Sequence, residues 1–286
     1  MKVLELFSGT HSIGRVLKDK GWEVISLDRD MNGKSKLYEG YDNSDNHIKE
    51  DIMTWDYKQF NEGDFDLITA SPVCLFWSRL RNTWIGRKSK AINPDGSIVK
   101  KEDLQRDIDM YGKPMVDKVI EIIEYFKPKN WWIENPSTGL MKNYIEEKHP
   151  LYNTYYDFDY CKYSDWGYKK STRFWTNITD VNALRCKNDC ENMITIKTQD
   201  GAIHSGYKTP IKAKTRTLHK NPIGDQNKAN DKCNKEKKLR VGHKKSADGG
   251  SSGKGIRKST TGTKSKYERY RVPQKLIEEL ISHISI

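Results

Sequence analysis

Short apolar runs alternate with turns and helical patterns along the first half of the chain. Residues 2–7 (KVLELF) and 23–27 (EVISL) have the length and residue types of buried strands, and residues 65–70 and 131–136 repeat the pattern. Apolar residues at helical spacing over 103–125 predict a helix that packs on the sheet. Strands that alternate with helices in this way are typical of an α/β fold with a parallel sheet.

A lone cysteine follows the third of these strands. Pro72 ends the strand, because proline has no N–H and a fixed φ, and Cys74 comes two residues later. Open α/β sheets bind their ligands at the carboxyl ends of the strands. Cys74 is therefore a candidate nucleophile, and the alternative is a small buried hydrophobic side chain.

A glycine-containing turn connects the first strand to a helical pattern. Gly9 and Gly14 lie in this turn, and Asp28 ends the next strand. Backbone N–H groups at such a turn bind nucleotide-like ligands, and an acid at this spacing meets a ribose hydroxyl in dinucleotide folds. The third glycine of the dinucleotide fingerprint is missing, so an adenosyl-type cofactor and a dinucleotide both stay open, as does a turn that serves chain geometry alone.

The fourth strand ends in a carboxyl group followed by a proline, in Glu134-Asn135-Pro136. Most glutamates are solvated surface residues. One that ends an apolar strand before a proline is expected to face a site. A partly apolar pocket favours the neutral form of a carboxyl group, which suits Glu134 to donate a proton.

In their order along the chain, these motifs resemble those of the cytosine-5 DNA methyltransferases. LELFSGTHSIG is similar to the family's cofactor motif, SPVCLFWS to its nucleophile motif, and IENP to its Glu-Asn motif. Residues 167–177 (GYKKSTRFWTN) resemble the basic strand that holds the target base. Residues 270–281 (YRVPQKLIEELI) resemble the last motif, whose helix packs against the cofactor domain.

The chain also departs from the family pattern at several positions. Val73 stands where a proline or similar residue is usual, and Leu75 where glutamine is common. Trp77 is the aromatic residue of the Phe-Ser pair. Lys170, Thr172 and Arg173 replace a Gln-x-Arg-x-Arg pattern. In these respects the chain is similar to compact phage-type or mobile-element members of the family, with or without a restriction partner.

The resemblance implies a Rossmann-like class I methyltransferase sheet with helices on both faces, over residues 1–178. A small basic target-recognition region would follow over 179–266, and a C-terminal helix over 267–286 would return to the catalytic domain. The implied activity is transfer of a methyl group from S-adenosylmethionine to carbon 5 of a flipped-out cytosine in double-stranded DNA, through a covalent adduct with Cys74.

The resemblance also implies roles for particular residues. Glu134 would protonate or hydrogen-bond ring nitrogen 3, and Arg173 would hold the cytosine carbonyl oxygen. The polar segment after the nucleophile would close over the flipped base, with DNA contacts from Ser78, Arg79 and Arg81. The implied cofactor-binding residues are Phe7, Ser8, Gly9, Thr10, Gly14, Asp28, Arg29, Asp51, Ile52 and Pro72.

Two other functions stay open at this point. A related enzyme of the tRNA-methylating branch would use the same residues on RNA, although its members typically lack a long recognition insert. A non-catalytic DNA-binding relative is expected to have lost the cysteine or the glutamate, and both are present.

Positive charge is concentrated in one part of the chain, whose net charge is +12. Residues 181–270 hold 22 basic and 8 acidic side chains, so this region carries the whole excess. Within it, residues 246–266 are rich in glycine, serine and lysine, which predicts a flexible loop that contacts phosphates. A solvated tail is the alternative. The predicted DNA contacts of the region are Lys237, Lys238, Arg240, Lys244 and Lys245.

Composition agrees with a soluble enzyme of 286 residues. No apolar run is long enough to span a bilayer, and the N-terminal apolar run is too short for a signal peptide. Five widely spread cysteines indicate a reducing compartment. We therefore expect a cytoplasmic protein, in a bacterium or a phage-infected host cell, and a monomer.

Cysteines and histidines in the basic region raise the question of a metal site. The spacing of Cys186 and Cys190 suits a first pair of zinc ligands, with further ligands from His204, His219 or Cys233. Because no second closely spaced pair follows, unrelated surface and core residues are the preferred interpretation. Structural zinc at Cys186, Cys190, His204 and Cys233 is the alternative.

Overall fold

A seven-stranded sheet forms the centre of the molecule, in the order β3-β2-β1-β4-β5-β7-β6. The computed structural model describes residues 1–29, 46–200, 212–219 and 270–284. The strands are β1 (Lys2–Leu6), β2 (Glu23–Leu27), β3 (His47–Ile48), β4 (Leu67–Ala70), β5 (Asn130–Pro136), β6 (Tyr155–Asp159) and β7 (Ser171–Thr176). Neighbours from β3 to β5 are parallel, and β7 is antiparallel to both β5 and β6.

Helices cover both faces of this sheet. They are α1 (Ser12–Asp19), α2 (Lys101–Asp107), α3 (Lys113–Phe126), α4 (Met141–Lys148) and α5 (Gln274–Ser282). One apolar core joins α3 and α4 to the sheet, and a second core joins α1 and α5 to the opposite face. The predicted α/β sheet with helices on both faces is therefore confirmed. Among the described residues, each helix is too short or too polar to cross a bilayer.

The predicted helix over 103–125 is confirmed, with an irregular turn inside it. Residues Ile108–Gly112 form a π-helical turn between α2 and α3. A Cβ at Gly112 would lie 3.1 Å from the ring of Trp77, a tight contact that glycine avoids. The turn thus seats the segment that follows Cys74 against the helix.

The C-terminal helix α5 packs against the N-terminal half of the sheet. Leu276, Ile277 and Leu280 of α5 are buried in the same core as α1. Just before the helix, the backbone N–H of Val272 donates a hydrogen bond to Ser12 Oγ over 2.9 Å.

Strand register aligns the carboxyl ends of the four central strands. Leu6 of β1 pairs with Leu27 of β2 and with Ala70 of β4, and Ala70 pairs with Ile133 of β5. The residues that come next therefore lie in one row along the edge, and they are Phe7, Asp28, Ser71 and Glu134. Successive strands are added in opposite directions from β1 and β4, and ligands bind at such a switch point.

A hairpin forms a second, two-stranded sheet. It consists of β8 (Met193–Asp200) and β9 (Lys212–His219), which pair in antiparallel fashion from Met193 with His219 at one end to Asp200 with Lys212 at the other.

Candidate active site

The turn after β1 has an unusual backbone. Phe7, Gly9 and His11 all have positive φ, at 56°, 47° and 50°. For a residue other than glycine this conformation costs roughly 1–2 kcal/mol, and such strain is concentrated at functional sites. The Gly9 N–H donates to Asp28 Oδ2 over 2.9 Å, so the acid that ends β2 holds the turn.

Glu5 of β1 accepts hydrogen bonds that hold the start of α1, just after this turn. Its role was not predicted from the sequence. Its carboxylate is buried and accepts hydrogen bonds from the Gly14 N–H (3.0 Å) and the Ser26 hydroxyl (2.8 Å). A negative charge at the start of α1 is also favourable for the helix dipole. The available signal was a lone acid within an otherwise apolar strand.

A second acidic loop lies beyond β3. Asp51 Oδ2 pairs with Arg29 Nη1 at 3.1 Å, and Asp51 Oδ1 accepts the N–H of Met53 at 3.0 Å. Ile52, which lies between Asp51 and Met53 in the sequence, is buried and anchors the loop to the core. Asp51 and Arg29 are thus brought together, at the exposed rim of the edge where Asp28 lies.

Two hydrogen bonds hold the segment around Cys74 (residues 72–77) to the end of β5 and the turn that follows it (residues 135–140). Asn135 Nδ2 donates to the carbonyl oxygen of Pro72 over 2.8 Å, and the Leu140 N–H donates to the carbonyl of Trp77 over 2.9 Å. The Trp77 ring is buried and stacks on Tyr144. Between these anchors Cys74 is half-buried.

Glu134 is buried and has two polar neighbours. Its Oε1 atom accepts a hydrogen bond from the Tyr160 hydroxyl over 3.1 Å and lies 3.5 Å from Lys170 Nζ. The Lys170 ammonium also lies 4.7 Å from the centre of the Tyr160 ring. Burial and the Glu134 carboxylate raise the pKa of Tyr160 well above its ordinary value, so the phenol remains a hydrogen-bond donor.

The charges of this site act on the Cys74 thiol. Burial raises the pKa of Cys74, the Glu134 carboxylate raises it further, and the Lys170 ammonium lowers it. The net effect favours the neutral thiol. Lys170 is the cation that offsets part of this effect and favours the thiolate.

A viral protein supplies the comparison that decides the family. A Frog virus 3 (isolate Goorha) protein described as a "probable DNA (cytosine-5)-methyltransferase" is 37% identical over 197 residues. The match covers 68% of this chain and 79% of that protein. The chain belongs to the DNA (cytosine-5)-methyltransferase family. No family model matches the sequence.

Solved methyltransferase structures are similar at lower identity. The Dnmt2 methyltransferase of S. pombe is 17% identical, with a TM-score of 0.39, over 62% of this chain and 50% of that one. The Entamoeba histolytica methyltransferase EhMeth is 17% identical, with a TM-score of 0.43, over 68% of this chain and 58% of that one. The chain spans about half the length of these two proteins.

The structure of this methyltransferase-family chain does not bring Arg173 to Glu134. Arg173 pairs in register with Asn135, whereas Glu134 pairs with Phe174, and alternate residues of a strand point to opposite faces. The Arg173 guanidinium forms a two-point ion pair with Asp157, at 2.8 and 3.0 Å, and stacks on Tyr155. Arg173 is therefore engaged with Asp157 and Lys170 is the cation beside Glu134, while the role of Arg173 at the cytosine stays a prediction.

Arg81 is likewise placed away from the surface. It is 8% exposed, it pairs with Asp107 in the interior, and its guanidinium lies 5.8 Å from the Phe76 ring. Arg81 is therefore held in an interior ion pair, and its contact with DNA stays a prediction. Arg79 is exposed and Ser78 begins the 3-10 turn Arg79–Trp84, so both remain accessible at the same edge.

Several predicted residues lie outside the described part of the chain. They are the DNA contacts Lys237, Lys238, Arg240, Lys244 and Lys245, the flexible loop 246–266, and the metal-ligand candidates His204 and Cys233.

Proposed function

We propose that this protein transfers a methyl group from S-adenosylmethionine to carbon 5 of a flipped-out cytosine in double-stranded DNA, as a monomer. The observation that carries this proposal is the hydrogen bond from Asn135 to the Pro72 carbonyl, which holds the segment of Cys74 beside the strand end of Glu134. A nucleophile and a carboxyl group on adjacent strand ends match the two roles that the reaction requires. Family membership supports the choice of cytosine.

Cys74 begins the reaction by adding its thiolate to carbon 6 of the cytosine ring. The new S–C bond uses the thiolate electron pair, and the electrons of the 5,6 double bond move onto carbon 5 and delocalise through carbon 4 to ring nitrogen 3, so that carbon 5 becomes nucleophilic. Glu134 stabilises the charge that develops at ring nitrogen 3 by donating a proton or a hydrogen bond there. The base has to be out of the helix stack for Cys74 to reach it.

The ring is restored after carbon 5 has gained the methyl group. When bound, S-adenosylmethionine supplies the electrophilic methyl group, and its sulfur keeps the electron pair of the bond that breaks. A base then removes the proton from carbon 5, and the electrons released re-form the 5,6 double bond. The same step expels Cys74 as a thiolate, and the nucleophile is regenerated.

The residues of the strained turn suit S-adenosylmethionine. The Ser8 hydroxyl is buried and makes no hydrogen bond within the part of the chain that is described. Gly9, whose N–H is held by Asp28, and Thr10 follow it in the turn, the Asp28 carboxylate would accept from the ribose hydroxyls, and Phe7 would offer an apolar surface. Gly14 and Pro72 border the turn, and Asp51 with Arg29 and Ile52 would hold the adenine.

Asp28→Ala should raise the dissociation constant for S-adenosylmethionine. Loss of a charge-assisted hydrogen bond worth roughly 1.5–3 kcal/mol corresponds to about ten- to a hundredfold weaker binding. Asp28→Asn, which can still accept from the Gly9 N–H, should lose less. Isothermal calorimetry measures both, with Asp19→Ala at the exposed far end of α1 as the control. Unchanged affinity in Asp28→Ala would place the ribose elsewhere.

Lys170→Gln should shift the pH dependence of kcat/KM toward higher pH. The Lys170 ammonium lowers the pKa of Cys74, so its removal raises that pKa and leaves less thiolate at neutral pH. A several-fold slower reaction of Cys74 with iodoacetamide should accompany the shift. Lys170→Arg keeps the charge and should restore most of the profile. If Lys170→Gln keeps the parent's profile, the ammonium does not act on the thiol.

Nucleoside mass spectrometry tests the proposed activity. Duplex DNA and transfer RNA are incubated separately with the protein and S-adenosylmethionine, then digested to nucleosides. 5-Methyldeoxycytidine from DNA is the expected product. 5-Methylcytidine from RNA alone would instead support the tRNA-methylating function, and no methylated nucleoside from either would overturn the proposal.

A further inference from the structure

Three cysteines and a histidine converge at the far edge of the main sheet, outside the site of Cys74 and Glu134. They are Cys161, Cys186, Cys190 and His219, and their ligand atoms all lie within 4.8 Å of one another. His219 Nε2 lies 3.6 Å from the sulfur of Cys186 and 3.5 Å from the sulfur of Cys190. Cys161, Cys186 and His219 are buried, and Cys190 is half-buried.

The distances from His219 Nε2 to the Cys186 and Cys190 sulfurs match those between the ligands of a tetrahedral zinc ion. Zinc binds cysteine sulfur at about 2.3 Å and histidine nitrogen at about 2.0–2.1 Å, so tetrahedral ligand atoms lie roughly 3.5–3.8 Å apart. Three thiolates and one imidazole are soft and intermediate donors, which favour zinc over magnesium or calcium. Four protein ligands leave no open position, as in structural zinc sites.

The backbone around the cluster holds the sulfur atoms in place. Cys161 lies in the 3-10 turn Tyr160–Lys162, directly after β6. The Cys186 N–H donates to Asp159 Oδ2 over 2.7 Å, and the backbone N–H groups of Asn188 and Asp189 donate to the Cys186 sulfur. Asn188 adopts a positive φ of 66°, which lets the chain turn back between Cys186 and Cys190.

Further contacts tie the turn of Cys161 to the loop of the other cysteines. Asn192 Nδ2 donates to the carbonyl oxygens of Cys161 and Ser164, over 2.9 and 2.7 Å. Lys162 Nζ lies 2.8 Å from Asp189 Oδ1. The turn that contains Cys161 and the loop that contains Cys186 and Cys190 are thus held together by hydrogen bonds and an ion pair of other side chains.

We propose that Cys161, Cys186, Cys190 and His219 bind one structural zinc ion. The ion would connect the β8–β9 hairpin, through His219 at its end, to the edge of the catalytic sheet, through Cys161. A two-stranded hairpin is marginally stable by itself in water, so such a connection has a clear physical benefit. Binding would displace the thiol protons, leaving three thiolates and a neutral imidazole on the metal.

Zinc content tests the proposal directly, independently of activity. The full chain is expressed in zinc-supplemented medium and purified without chelators, and we expect one zinc ion per chain by elemental analysis. X-ray absorption should show three sulfur neighbours at about 2.3 Å and one nitrogen at about 2.0–2.1 Å. Absence of zinc, or a shell of oxygen and nitrogen only, overturns the proposal.

Paired variants test which residues are the ligands. Cys161→Ser and His219→Ala should lose the zinc, whereas His204→Ala and Cys233→Ser should keep it, and so should Cys74→Ser. The opposite pattern would assign the metal to the set containing His204 and Cys233, and our ligand set would be wrong.

Alkylation of the unmodified chain covers the case in which a ligand variant fails to fold. With zinc bound, N-ethylmaleimide should label Cys74 and leave Cys161, Cys186 and Cys190 protected, as read by peptide mass spectrometry. Removal of zinc with a chelator should expose these three to labelling and lower the melting temperature. Equal labelling of Cys161 with and without zinc would contradict its assignment as a ligand.

Discussion

Cys74→Ser should abolish methyl transfer, with a loss of at least about 10³-fold, and leave S-adenosylmethionine binding near that of the parent. A serine hydroxyl is a far weaker nucleophile than a thiolate, and the strained cofactor turn on the neighbouring strand is unchanged by the substitution. Methyl incorporation and calorimetry measure the two effects. Val73→Ala, at an exposed position of the same loop, is the control and should keep its activity.

Covalent trapping makes the prediction for Cys74 more specific. In DNA containing 5-fluorocytosine the fluorine cannot leave as the proton does, so the adduct should persist. Peptide mass spectrometry should find it at Cys74 of the parent and not in Cys74→Ser. Retention of more than a few per cent of activity by Cys74→Ser, or an adduct at another residue, would mean that a different nucleophile is used.

Glu134→Gln should slow methyl transfer by about 10²–10⁴-fold, the range typical for loss of a positioned acid–base group. Glutamine has nearly the same shape, and its carbonyl oxygen can still accept from Tyr160, so folding and duplex DNA binding should change little. What is lost is the ability to supply a proton or a matching charge at ring nitrogen 3.

Tyr160→Phe provides a graded comparison for Glu134. It removes one charge-assisted hydrogen bond to the carboxylate, worth about 1.5–3 kcal/mol, so the rate should fall by at most about ten- to a hundredfold. Single-turnover rates of methyl transfer measure both variants. A Glu134→Gln enzyme as fast as the parent would assign Glu134 to a purely structural role.

Local patterns in the sequence were sufficient for most of the catalytic sheet. The strand at 23–27 was predicted with its observed bounds, and the helix at 103–125 was predicted to within a few residues of α2 and α3. Both are recognisable because strand and helix periodicity depend only on neighbouring residues. The π-helical turn Ile108–Gly112 was not predicted, and its close approach to Trp77 is a contact between residues distant in the sequence.

Sequence by itself also placed the candidate site residues at one edge of the sheet. The residues at the carboxyl ends of β1, β2, β4 and β5 lie in one row because parallel strands share a direction. This follows once strands and helices are seen to alternate. Cys74, Asp28 and Glu134 could therefore be chosen from their positions at strand ends.

Only the tertiary structure decided which cation lies beside Glu134. The register of β5 with β7 places Arg173 opposite Asn135, on the face where Asp157 binds it, and brings Lys170 to the carboxylate. A shift of one residue in register would exchange the two faces. Because register is a property of two strands that are distant in sequence, the degraded basic motif could not resolve it.

The proposed zinc ligands Cys161, Cys186, Cys190 and His219 are also brought together only by the tertiary structure. Cys161 follows β6 and His219 ends β9, and neither has a ligand partner at short spacing in the sequence. The strand order β5-β7-β6 and the return of the hairpin bring them to Cys186 and Cys190. Spacing along the chain identified one pair of ligands, and the remaining two were selected by contacts that form only when the chain has folded.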